Sequence, residues 1–166
     1  MKNLTKVLIT QDCEEFDRNL EEIFQKHSLS VSFSPNDGLK TLKLIESIKP
    51  DVVILDMFLT KIDAIGVIDS VKKEKHSKIP SFIIMSELIN KNIESEVVSS
   101  GASFIIKKPF NPSELAKKIV NAVSPNNSFS MSKSIIPLNE TPMNKVPPEK
   151  SIEIEVTEIL HQIGVP

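Results

Sequence analysis

Four consecutive β-favouring apolar residues, Val52-Val53-Ile54-Leu55, entered from Pro50-Asp51 and closed by Asp56, place the tightest constraint on what this chain can fold into. A short apolar run without polar alternation reads as a strand buried on both faces, as found inside parallel sheets that carry helices on both sides. Open α/β sheets place their ligands in the crevice beyond the carboxyl ends of the strands. Asp56 stands at such an end. Taken alone, it either belongs to a ligand site or caps the following loop.

The rest of the chain repeats the unit. Lys6 to Thr10 reads as a first buried strand, followed by Asp12 and by a helix with Phe16, Leu20, Ile23 and Phe24 on one face. Leu29 to Phe33 alternates apolar and polar residues, which predicts a strand nearer an edge. Ser34-Pro35-Asn36-Asp37-Gly38 is a turn, and the next helix carries Leu42, Ile45 and Ile48. After Asp56 and a loop from Met57 to Ile62, a helix is predicted from Asp63 to about Lys73. Ile79 to Met85 is a fourth strand ending at Ser86, then a helix marked by Ile89, Ile93 and Val97 stops at Gly101. Ser103 to Ile106 is a fifth strand, ending at Lys107-Lys108-Pro109, and Asn111-Pro112-Ser113-Glu114 starts a last helix with Leu115, Ile119 and Val123.

Five β-α units predict an α/β fold, a doubly wound five-stranded parallel sheet, because every parallel crossover is right-handed and carries its own helix. All strands then end on one rim. Asp12, Asp56, Ser86 and Lys108 should converge there, although helix-capping acids and serines are also common in such loops.

Composition narrows the chemistry. A length of 166 residues allows one domain with its own core plus an appendage. The formal net charge of -2 gives no basic field for phosphate backbones, so nucleic-acid binding is not expected of this stretch by itself. A single cysteine, Cys13, excludes an internal disulfide, and no apolar run is long enough to span a bilayer. With no signal-peptide core at the start, the expected location is the cytoplasm.

Two carboxylates and a lysine on one rim suit a hard divalent cation and a phosphoryl group: magnesium, with manganese or calcium as alternatives. In this reading Asp56 is the nucleophile that becomes an aspartyl phosphate. Lys108 neutralises charge on the phosphoryl oxygens and the Ser86 hydroxyl hydrogen-bonds one of them.

The ordered set Asp12, Asp56, Ser86 and Lys108-Pro109 resembles the receiver domain of bacterial response regulators, over residues 4–123. The resemblance implies a flavodoxin-like strand order 2-1-3-4-5 and a cis Lys108-Pro109 bond. It implies Asp56 as phosphoacceptor, Lys108 and Ser86 as its partners, and Asp12, Asp56 and the backbone carbonyl of Phe58 as metal ligands. It also implies a His-containing phosphotransferase or sensor kinase as donor and a homodimer on phosphorylation. Four positions depart from the family pattern. Gln11 replaces one acid of the usual pair, Leu59-Thr60-Lys61-Ile62-Asp63-Ala64 replaces a Met-Pro-x-x-Asp-Gly loop, Ile105 stands where a switch aromatic is usual, and Glu87 follows the serine where a small residue is usual.

Ser124 to Lys150, rich in Pro, Asn and Ser, reads as a flexible linker after a domain at residues 1–123. Residues 151–166 offer Ile152, Val156, Ile159, Leu160 and Ile163 at helical spacing, although Ile152-Glu153-Ile154-Glu155-Val156 also alternates as a strand. The phrase Ile159 to Pro166 is similar to the first helix of the DNA-binding domain in the sporulation master regulators, the stage 0 sporulation protein A branch of the family, and Asp56 to Ile68 resembles their receiver. That implies the start of a truncated effector domain, a phosphorelay, and contact with DNA only through the absent part.

The leading expectation is a phosphorylation-activated switch, not an enzyme beyond slow autodephosphorylation. The alternative is a degenerate receiver acting as a phosphorylation-independent scaffold, favoured by Gln11, Thr60, Ala64 and Ile105. An aspartate-nucleophile phosphatase would need a second acid two residues after Asp56, where Phe58 stands.

Overall fold

The computed structural model describes residues 3–11 and 14–124. Asp12 and Cys13, residues 125–150 of the linker and the segment from 151 to 166 lie outside the described residues. Ten elements alternate: β1 (Thr5–Thr10), α1 (Glu14–Lys26), β2 (Leu29–Ser34), α2 (Gly38–Ile48), β3 (Val52–Asp56), α3 (Ala64–Lys73), β4 (Ser81–Ser86), α4 (Lys91–Ser100), β5 (Phe104–Lys107) and α5 (Pro112–Val123). The strands form one sheet in the order β2-β1-β3-β4-β5, and each described pairing is parallel. This is the expected doubly wound receiver-type architecture, and β3 lies at its centre.

Strand burial follows position in the sheet. Val52 to Leu55 of β3 are fully buried, whereas β2, on an edge, buries only Leu29 and Ser34. Alternate residues of each strand feed two separate cores. Leu8, Val53, Leu55 and Ile105 pack with Ile45, Ile68, Val71 and Val97 from α2, α3 and α4. Val7, Ile9, Ile54 and Ile106 pack with Leu20, Phe24, Leu115 and Ile119 from α1 and α5. Neither face could be left wet: burying one such aliphatic side chain stabilises the fold by about 1.5–3 kcal/mol.

Local chemistry sets the element ends. Asp37, Asp63, Asn90 and Asn111 cap α2, α3, α4 and α5, each accepting from one or two first-turn N–H groups. Gly101 ends α4 at φ 83°, the left-handed conformation glycine adopts without a Cβ penalty. β4 starts at Ser81, two residues later than the sequence pattern predicts, because Pro80 has no N–H to give the ladder and Ile79 stays half exposed. β5 is shifted one residue later than expected, to Phe104–Lys107.

Candidate functional site

The carboxyl ends of β3, β4 and β5 bring three of the sequence-predicted residues to one rim. Register alone does much of this: Asp56 lies beside Met85, and Ser86 beside Lys107. Past the strands, Met57 N–H donates to the Met85 carbonyl at 2.8 Å and Lys108 N–H to the Ser86 carbonyl at 2.9 Å. The pairing therefore continues until the functional side chains have been delivered.

Asp56 is only 13% exposed and Lys108 30%. Their side chains form an ion pair, Lys108 Nζ to Asp56 Oδ2. The other carboxylate oxygen, Oδ1, accepts from Phe58 N–H at 3.0 Å. Both oxygens thus face donors, as a carboxylate so nearly buried requires. The Lys108-Pro109 peptide bond is cis, as the resemblance implied.

Ser86 is fully buried on the neighbouring strand, and its hydroxyl is turned along its own loop. It donates to the Leu88 carbonyl at 2.7 Å and accepts from Leu88 N–H at 3.3 Å. Phe58 has its side chain well exposed, and Leu88 likewise. Glu87 is exposed. Ile105 is completely buried among the α2–α4 side residues, while Phe104 packs with the α1–α5 side, so the two lie on opposite faces of β5. Asp12 lies outside the described residues. Its neighbour Gln11 continues the β1–β2 pairing through its N–H to the Ser34 carbonyl at 2.9 Å.

One residue that meets the site, Thr10, was not singled out in the sequence, and a second, Thr60, was noted only for its departure from the family loop. Thr10, fully buried at the end of β1, accepts from Asp56 N–H at 2.8 Å through its hydroxyl, and so pins the backbone of the carboxylate from a second strand. Thr60, four residues after Asp56, is tied to the loop before α2: its hydroxyl donates to the Asn36 carbonyl at 2.8 Å and its N–H to the same oxygen at 3.0 Å. A polar residue at the close of a buried run is the only signal Thr10 offers. Thr60 offers none beyond its departure from the usual loop.

The ligands that the resemblance implies for a magnesium ion are all oxygens: the Asp56 carboxylate, the Phe58 carbonyl and Asp12. That set fits a hard cation. Among the described residues no three acidic, His or Cys side chains cluster to hold one.

This arrangement of a near-buried aspartate paired with a lysine at the carboxyl edge of a 2-1-3-4-5 sheet agrees with the comparisons. The family model for the response regulator receiver domain matches residues 7–120, and the chain belongs to that family. Receiver domains take a phosphoryl group in two-component signalling, from histidine kinases or phosphotransferases, generally with magnesium, and are not enzymes in the usual sense. Among solved structures the chain is similar to the chemotaxis response regulator CheY4 of Vibrio cholerae, at 21% identity and a TM-score of 0.63, over 74% of this chain and all of that one, 100%. It is similar to the DNA-binding response regulator of the LuxR family from Staphylococcus aureus at 22% identity and TM-score 0.61, covering 70% and 96% of the two chains. The receiver domain of a LuxO repressor protein from Vibrio parahaemolyticus matches at 20% identity and TM-score 0.62, over 70% and 87%. At these identities the structural likenesses speak to the fold alone. Among the described residues no helix is long and apolar enough to cross a membrane.

Proposed function

We propose that Asp56 is the phosphoacceptor of a phosphorylation-activated response regulator. The observation that carries this reading is the Asp56–Lys108 ion pair at the carboxyl rim, with Ser86 one strand away. An Asp56 carboxylate oxygen attacks the phosphorus of a phosphohistidine, the O–P bond forms as the P–N bond breaks, and the imidazole leaves with the bonding pair and takes a proton. Lys108 stays beside the group and balances charge on its oxygens. Asp12, Asp56 and the Phe58 carbonyl would hold magnesium, which supplies further charge neutralisation when bound.

The Ser86 hydroxyl, now bonded to the Leu88 loop, is the mobile part. Exchanging the Leu88 carbonyl for a phosphoryl oxygen releases that loop and alters the surface at α4 and β5. A switch of this kind moves only as far as the differential contacts of its two states allow. Dimerisation is the consequence we propose.

The sequence at Ile159 to Pro166 supports a finer assignment: residues 1–123 as receiver, 124–150 as linker and 151–166 as the opening of a DNA-binding effector, in a cytoplasmic sporulation phosphorelay. A phosphorylation-independent scaffold is the second reading, favoured by Ile105, an aliphatic residue where the family's switch aromatic is usual, held in the core among the α2–α4 side residues.

The test is intact mass after incubation with Mg²⁺ and phosphoramidate. One added phosphate on the native chain, labile to hydroxylamine and missing in Asp56→Asn, supports the switch. No addition to the native chain supports the scaffold.

A further inference from the structure

The loop from Met57 to Asp63 carries Phe58, whose N–H holds one Asp56 oxygen, yet the loop is exposed at Phe58, Thr60, Lys61 and Asp63 and has a backbone that needs holding. Lys61 takes a positive φ of 68° without being glycine. Ile62 N–H turns back to the Thr60 carbonyl at 2.8 Å. Met57 and Leu59 anchor the loop in the core, with Ile62 packed against it, and the hydrogen bonds around Thr60 tie the exposed stretch between them.

Four of them meet at this residue. Its N–H and its hydroxyl both donate to the Asn36 carbonyl, and its own carbonyl accepts from Gly38 N–H at 2.9 Å and from Ile62 N–H. Asp37 and Thr60 form an isolated parallel bridge, so two loops are joined as a short piece of sheet. The side facing them is itself fixed. Asp37 caps α2 through Leu39 and Lys40 N–H, its carbonyl accepts from the Thr41 hydroxyl at 2.8 Å, and Thr41 meets the Ser34 hydroxyl at 2.8 Å. Gly38 allows the approach: a Cβ there would stand 2.1 Å from the Ile62 carbonyl oxygen.

We propose that Thr60 is a positioning residue: its double donation to Asn36 clasps the Asp56 loop to the start of α2 and thereby sets the Phe58 backbone against the Asp56 carboxylate. The part of this concerning phosphorylation rests on Asp56 being the phosphoacceptor. The geometric part does not. A residue without an N–H could make only half of the clasp, and one without a hydroxyl the other half.

The test uses the full chain as native protein, Thr60→Val and Thr60→Ser. Thr60→Val keeps the shape and the N–H and removes only the hydroxyl. Amide hydrogen exchange at Gly38 and Phe58 should quicken about fivefold, the factor that corresponds to one net hydrogen bond, while exchange at Val67 and Ile84 stays unchanged. Thr60→Ser should restore native exchange. In phosphoramidate uptake the Mg²⁺ concentration for half-maximal rate should rise in Thr60→Val and not in Thr60→Ser, with the rate at saturating Mg²⁺ little changed. Native exchange at Phe58 in Thr60→Val overturns the clasp whatever the uptake shows. If the native chain takes up no phosphate, the phosphoacceptor reading falls, and the exchange data still decide the clasp.

Discussion

Replacing Thr10 by valine separates a buried hydroxyl from the volume it occupies. Thr10 is fully buried, its hydroxyl oxygen accepts from Asp56 N–H at 2.8 Å, and the same hydroxyl donates to the Ile54 carbonyl oxygen only across 3.4 Å. The second contact is too long to contribute much. Losing the first leaves Asp56 N–H without its partner, a cost of about 1–3 kcal/mol. The methyl that valine puts in place of the hydroxyl returns about 0.8 kcal/mol if it stays buried. A net loss of about 0.2–2 kcal/mol follows, which in urea, at a slope of roughly 2 kcal/mol per molar, lowers the midpoint by about 0.1–1 M.

Thr10→Ser keeps the hydroxyl and loses a methyl, so it is also destabilised. The amide of Asp56 tells the two apart: its hydrogen exchange should quicken in Thr10→Val beyond the change in global stability and remain in step with it in Thr10→Ser. Equal midpoints for native protein and Thr10→Val, with unaltered Asp56 exchange, would refute the claim that β1 pins the carboxylate.

Other consequences can be measured alongside. Lys108→Met should leave a folded protein whose phosphoryl uptake from phosphoramidate is slowed by about a hundredfold or more, because the charge that meets the transferring group is gone; uptake within a few-fold of native would remove Lys108 from the site. Gly38→Ala should cost about 1–3 kcal/mol in denaturant unfolding, since the new Cβ falls 2.1 Å from the Ile62 carbonyl oxygen and a backbone must move. At the opposite end of the sheet, burial pushes the Asp51 carboxyl up, but Lys78 at 2.5 Å and Lys6, through its N–H at 2.9 Å and its charge, outweigh it and hold the group below its ordinary 3.8. With the folded value below the unfolded one, the stabilisation is present above about pH 4 and is lost as pH falls through the folded value. Asp51→Asn should therefore flatten the acid limb of the stability profile and leave its slope near neutrality unchanged. Chelation of divalent metal should suppress uptake on the native chain, and added Mg²⁺ should restore it.

How much of this was legible beforehand depended on the reach of each signal. The run ending at Asp56 and the apolar periodicity of the helices fixed the layer order, because a strand that reads as buried on both faces has few folds open to it. Lys108 was legible because it closes a second such run. The strand ends at Ser81 and Phe104 were missed by one or two residues, where the absent N–H of Pro80 and the pairing of Lys107 with Ser86 outweigh apolar pattern. Thr10 and Thr60 act through partners 46 and 24 residues away, and no local spacing encodes such contacts. The orientation of Ser86 toward Leu88 rather than Asp56 is likewise a rotamer, which residue type does not reveal.

The central claim is that the phosphoryl group enters at Asp56 and nowhere else. Borohydride reduction of the phosphorylated native chain converts an aspartyl phosphate to homoserine, which fragment mass spectra locate by residue. The account predicts homoserine at position 56 alone, and none without phosphodonor. Homoserine at Asp51, Asp63 or another acid, with Asp56 intact, would contradict it.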